Sequence, residues 1–204
     1  MNINIKTFDD WAQDGRDEKM ALNHSKSVKR ILSIINEKTN KFKTPFSFLD
    51  LGCGNGWVIR EITKKSKCVY ALGIDGSSNM INNAKKNKIG VFKKIDLENY
   101  KFDRKFDIIF SMETFYYLKN IDKLFKKIAK DGLNKNGILI IGIDHYKENT
   151  PSLNWGSDYN LDISTLSTRD WKEKFIFNGF KNVEHEYYGS KEDWKGTLII
   201  MGQR

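Results

Sequence analysis

The sequence lacks the features that mark several large classes of protein. Nowhere in its 204 residues does an apolar run approach the roughly 20 residues needed to span a bilayer. Two cysteines, Cys53 and Cys68, make neither a disulfide framework nor a CxxC metal site. No group of His, Cys and Asp shows metal-ligand spacing, so no metal is expected. The first residues, Met1-Asn2-Ile3-Asn4-Ile5-Lys6, lack the apolar stretch and small-residue cleavage site of a secretory signal, and the expected location is the cytoplasm. Arginine is scarce, at positions 16, 30, 60, 104, 169 and 204 only. The net charge of +9 therefore comes from lysines scattered over different predicted elements, such as Lys64-Lys65, Lys85-Lys86 and Lys126-Lys127. Arginine forks are the usual means of reading phosphates and bases, so this charge does not by itself call for a nucleic-acid partner. No internal repeat, low-complexity tract or domain-boundary linker interrupts the chain, and residues 1–204 are expected to form one domain.

What the chain does contain is a glycine loop in a telling place. Phe46-Ser47-Phe48-Leu49-Asp50-Leu51 is a short apolar run that turns acidic, and Gly52-Cys53-Gly54-Asn55-Gly56 follows it. Trp57-Val58-Ile59-Arg60-Glu61-Ile62 then suits a helix packed on a sheet. Strand, glycine loop and helix together bring a ligand to backbone N–H groups at a helix N-terminus. The spacing is G-x-G-x-G, whereas a dinucleotide fingerprint is G-x-G-x-x-G. Asp50, just before the loop, suits an ammonium group better than a pyrophosphate.

The rest of the chain alternates strands and helices. Residues 1–16 show no clear periodicity; a helix over roughly 18–38 follows, with Val28, Ile31, Leu32 and Ile35 on one face and Asp17 or an earlier polar residue as its cap. Thr39 to Pro45 is a basic linker. Strands are expected at 68–75, 91–96, 106–111 and 137–144, with helices begun by Ser77 or Ser78 and by Ile121. Residues 145–167 are polar and irregular, and Arg169 to Gly179 suits a helix. The strands at 180–188 and 197–201 are too closely joined for a helical crossover and should pair antiparallel. The expected core is a parallel sheet covered on both faces. Asp50, Asp75, Asp96, Ser111 and Asp144 all fall at predicted strand ends, where open α/β sheets bind ligands.

Leu49-Asp50-Leu51-Gly52-Cys53-Gly54-Asn55-Gly56 resembles the first motif of class I S-adenosylmethionine-dependent methyltransferases, and the element order over about residues 45–204 is similar too. The resemblance implies an α/β, Rossmann-like doubly wound sheet, mostly parallel with an antiparallel last strand. It also implies S-adenosylmethionine as cofactor. Asp50 would face the methionine ammonium, and Gly52, Cys53, Gly54, Asn55 and Gly56 would form the loop against the amino-acid portion. Asp75 would accept from the ribose hydroxyls, Asp96 would meet the adenine amino group, and Leu97 would lie on its ring. Ser111 and Met112 would border the methionyl part, and Gly76, Ser77 and Met80 would flank the adenosine. Two further runs, Trp11 to His24 and Ser111-Met112-Glu113-Thr114-Phe115-Tyr116-Tyr117, resemble a group of small microbial methyltransferases with no substrate attached to the likeness.

The methyl acceptor should then enter opposite the cofactor. Candidates for its pocket are Glu113, Tyr116, Tyr117, His145, Tyr146 and the N-terminal helix with Trp11 and His24, with His24 and His145 suited to general-base work near neutral pH. Residues 1–40 are expected to form a helical lid, and removing residues 1–24 to abolish turnover while sparing cofactor binding. Ser111-Met112-Glu113-Thr114 stands where a DNA adenine methyltransferase would carry an N/D-P-P-Y/F run, and no Pro-Cys pair offers a thiol for cytosine chemistry. The expected acceptor is a small molecule. An RNA or protein methyltransferase, and a cofactor-binding protein without turnover, remain alternatives.

Overall fold

The computed structural model of the protein describes residues 2–40, 45–65 and 67–204. Its centre is β1 (Phe46–Leu51), whose alternation sends Phe46 and Phe48 into one apolar cluster and Leu49 and Leu51 into another. β2 (Cys68–Asp75) and β4 (Phe106–Met112) flank it in parallel. β3 (Val91–Lys94) continues the sheet beyond β2, and β5 (Leu133–Ile143) continues it beyond β4, both parallel. β7 (Thr197–Gln203) pairs antiparallel with β5 and carries β6 (Lys181–Tyr188) on its outer side. The strand order is β3-β2-β1-β4-β5-β7-β6, so the chain reverses its direction of travel beside β1. A crevice opens there beyond the carboxyl ends of the strands.

Helices cover both faces. α2 (Arg16–Asn40), α3 (Trp57–Ile62) and α4 (Ser78–Lys85) pack on the side of Phe48 and Phe110, whose rings stack at 5.9 Å. α5 (Ile121–Lys127) and α7 (Thr168–Phe177) cover the side of Leu49 and Ile109. Ser167 and Asp170 form a reciprocal capping box that starts α7 one residue before the expected Arg169. Among the described residues, no helix is long and apolar enough to cross a membrane.

Three expectations need correction. Residues 3–13, read as aperiodic, form α1 (Ile3–Gln13), because side-chain bonds to distant segments hold it rather than a wide apolar stripe. Asp17 sits inside the first turn of α2, where its charge suits the helix dipole, rather than capping it. The helix also runs to Asn40, absorbing the start of the expected linker, whose residues 41–44 lie outside the described residues. Elsewhere β3 stops at Lys94, and the irregular stretch contains a short α6 (Trp155–Tyr159).

Phe175 lies fully buried between Phe125 and Phe180, with ring centroids 5.1 and 5.2 Å away. Phe175→Ala is expected to lower the unfolding free energy by about 3–5 kcal/mol, read as a reduced urea midpoint at unchanged slope.

Candidate active site

The glycine loop is locked to the end of β2. Gly52 and Cys53 donate to the carbonyl of Ile74 at 2.8 and 3.0 Å, and Gly54 N–H donates to Asp75 Oδ2 at 2.9 Å. Asp75 Oδ1 accepts from Ser77 N–H at 2.8 Å, so one carboxylate fixes two turns. Gly52 and Gly54 both have positive φ, +82° and +51°. At Gly52 a Cβ would collide with the side chain of Thr114, whereas at Gly54 it would meet only Met80 Sδ at 3.8 Å. Gly54 therefore leaves its backbone open to the crevice.

One cavity gathers most of the expected cofactor residues. Asp50, Gly52, Cys53, Gly54, Asn55, Asp75, Gly76, Met80, Asp96, Leu97 and Met112 all line it. Ser111 does not: it is buried, and its hydroxyl donates to the Leu51 carbonyl at 2.6 Å, tying β4 to β1. Gly56 is also absent from the wall, which its neighbours Asn55 and Trp57 line. Asp96 both lines the cavity and turns the chain, accepting from Glu98 N–H at 3.0 Å.

Asp50 is the clearest pointer to a ligand. Its carboxyl is 1% exposed, and neither oxygen has a hydrogen-bond partner. Burial, helped by the charge of Asp75, pushes its pKa well above the usual carboxylate range. A cationic group placed opposite would relieve this, so the donor set fits the ammonium end of the expected cofactor. Burial likewise raises the Cys53 thiol, which is not a poised nucleophile.

On the other side the cavity is walled by Met20, His24, Val28, Phe110, Glu113 and Tyr117. His24 Nε2 stands 3.8 Å from Asp144 Oδ2. Glu113 accepts from the Tyr116 hydroxyl at 2.5 Å and from the backbone N–H of Asp144. Burial first, then the neighbouring Asp144 charge, raises Glu113; burial also raises Asp144 and lowers His24. Three residues without ligand spacing in the sequence thus converge as a potential cation site.

Tyr116, His145 and Tyr146, all candidates from the sequence, do not reach this wall. Tyr116 lies fully buried behind Glu113 and Tyr117. His145 is fully buried with both ring nitrogens engaged, at 2.9 Å to the Ser152 carbonyl and 2.8 Å to Thr165 Oγ1. That ring organises the 145–165 segment and has no nitrogen free to take a substrate proton. Tyr146 similarly bonds the Gly196 carbonyl. Conversely, Asn2, Asn4, Ile5 and Phe8 line the cavity from α1, a contribution that no periodic signal announced.

α1 is pinned at both ends of this roof. Asp9 accepts from Ser77 Oγ at 2.7 Å and Asn79 N–H at 2.8 Å, while Ile5 fills the space beside Gly76. Asn4 donates to the carbonyls of Tyr117 and Asp162 at 3.1 and 2.7 Å.

Because the folded pKa of Asp50 is raised, the unliganded fold keeps a proton that the unfolded chain releases near pH 4. Its contribution to stability is full below that pH and is lost as pH rises through the folded value. Unliganded Asp50→Asn, which has no proton to release, is expected to lose less stability than the parent as pH rises above about 4, measured by urea unfolding across pH.

Residues 49–141 match a family described as a methyltransferase domain. Ubiquinone biosynthesis O-methyltransferase of Pelagibacter ubique is 34% identical over 134 residues, 63% of this chain and 54% of that protein. Malonyl-(acyl-carrier protein) O-methyltransferase 2 of Ilyobacter polytropus is 32% identical over 167 residues, 76% of this chain and 62% of that protein. The chain thus spans less than two thirds of either curated relative. Among solved structures, a chain from the complex of the Haloferax volcanii Trm112 methyltransferase activator with a methyltransferase superposes at a TM-score of 0.83, with 26% identity and 96% of each chain covered. Residues 49–141 thus carry a methyltransferase domain, and this sheet, this loop and these relatives support a class I S-adenosylmethionine-dependent methyltransferase.

Proposed function

We propose that the chain transfers a methyl group from S-adenosylmethionine to a small-molecule acceptor by in-line displacement. The observation that carries this reading is the roof: α1 and the first turns of α2 enclose the acceptor side with Phe8, Met20 and His24, leaving a cleft suited to a compact ligand. When bound, S-adenosylmethionine supplies an electrophilic methyl group on its sulfonium. The chain's own residues supply alignment and exclusion of water. Asp50 holds the ammonium, Asp75 the ribose hydroxyls through lone pairs left by Gly54 and Ser77, and Asp96 with Leu97 the adenine edge. Met112 borders the methionyl portion. Glu113 follows it directly in sequence, so the His24, Glu113 and Asp144 cluster meets the acceptor atom and handles its proton.

The lid reading needs one change. Asn4, Ile5 and Phe8 line the same cavity as Asp75 and Gly76, so α1 covers the cofactor end as well as the acceptor end. Removing α1 should therefore weaken cofactor binding in addition to stopping turnover, instead of sparing it.

A second reading, methyl transfer to a macromolecule with a protein partner, is favoured by one surface. β3 is an edge strand, and Val91, Ile89 and Val69 are exposed on or near that edge. The similar Haloferax protein was solved with an activator, and this edge would suit a partner of that kind.

Labelled S-adenosylmethionine incubated with fractionated cell extract separates the two readings. Label in the small-molecule fraction is the expected result; label confined to nuclease- or protease-sensitive material would replace the first reading by the second. For the cofactor contacts, Asp75→Ala is expected to cost about 1.5–3 kcal/mol of S-adenosylhomocysteine binding by calorimetry. Parental affinity in that variant would remove the ribose assignment. Deleting residues 2–14 should lower the same affinity several-fold, and an unchanged value would confine α1 to the acceptor.

A further inference from the structure

We infer that His24, Glu113 and Asp144 form a binding site for one divalent transition-metal ion on the acceptor side of the cavity. Each residue offers one ligand atom, and the three atoms lie within 4.8 Å of one another. Three ligands about 2.0–2.2 Å from a shared ion stand about 3.3–3.8 Å apart at tetrahedral to trigonal angles, so an inward turn of about 1 Å by the partly exposed His24 brings the set together. A second observation is independent of this spacing. Asp144 is 8% exposed, and its Oδ1 is buried with no hydrogen-bond partner. An orphaned buried carboxylate oxygen is costly unless something cationic meets it.

The surroundings are those of a supported ligand set. The Tyr116 hydroxyl and the Asp144 backbone N–H hold the two oxygens of Glu113 in place, leaving a further lone pair on each. Glu113 adopts φ +53°, a left-handed conformation that is rare for a residue other than glycine and collects at ligand sites. One imidazole with two carboxylates favours manganese, iron, cobalt or zinc over magnesium or calcium, which prefer all-oxygen shells.

His24 and Asp144 also line a second groove, with Trp155, Tyr188 and Trp194. The three protein ligands leave coordination positions for water or for an acceptor oxygen. An ion there would lower the pKa of an acceptor hydroxyl, which narrows the acceptor to an oxygen nucleophile. That narrowing rests on the small-acceptor reading; the ion site itself does not.

The test is uptake of Mn²⁺ by chelator-treated protein, followed by the electron paramagnetic resonance of free Mn²⁺, with Zn²⁺ as competitor. One saturable ion per chain is expected, with affinity at least tenfold lower in Asp144→Asn and in His24→Ala. Tyr116→Phe, which keeps all three ligands, is expected to lower affinity by about tenfold or more. Thermal melting checks that each variant is folded, and His24 on a partly exposed helix face is the safer substitution. No saturable uptake, or uptake unchanged by all three substitutions, would overturn the site. If uptake fails while S-adenosylhomocysteine still binds and methyl transfer proceeds without metal, the ion site falls and the small-acceptor reading stands.

Discussion

The carboxylate of Asp75 ties the cofactor crevice together. One oxygen takes the amide proton of Gly54 and the other that of Ser77, so the glycine loop after β1 and the turn after β2 cannot move independently. Ser77 passes the constraint on. Its hydroxyl accepts from Met80 N–H at the start of α4 and donates to Asp9 on α1. Three segments far apart in sequence thereby share one polar chain, and hydrogen bonds at a charged group are the stronger kind. The same carboxylate presses on Asp50, whose own oxygens are left without partners.

The cavity carries its charge in an unusual way for a strongly basic protein. The ionisable groups in and beside it are mostly acids, among them Asp50, Asp75, Glu113 and Asp144, and desolvation raises each of them. Among the described residues no lysine is buried, and they lie in scattered positions. The overall charge of +9 therefore says little about the ligand. The interior leaves buried acid oxygens without partners at two places, the carboxyl of Asp50 and Oδ1 of Asp144.

The strand, loop and helix from Phe46 to Ile62 were legible because apolar alternation and glycine spacing are local signals. The antiparallel ending was legible from the short connection between β6 and β7. α1 was not, since Asn4 and Asp9 hold it through bonds to residues 117, 162, 77 and 79, which no window of sequence contains. His145 misled for a similar reason. A histidine after a strand end suits catalysis or a buried polar hub equally, and only Ser152 and Thr165 decide between them. The cluster of His24, Glu113 and Asp144 draws on α2, the end of β4 and the end of β5, so linear spacing could not reveal it.

α2 is a single 25-residue helix with two duties. Its second half, through Val28, Ile31, Ile34 and Ile35, is part of the core beneath the sheet, and its first half, through Met20 and His24, walls the cavity. The boundary between foundation and binding surface thus falls within one rigid rod. Residues on the cavity side of the opening turns of α2 can change without disturbing the apolar contacts its second half makes with the sheet. Descent with altered substrate choice is accordingly open to this fold at small risk to its folding.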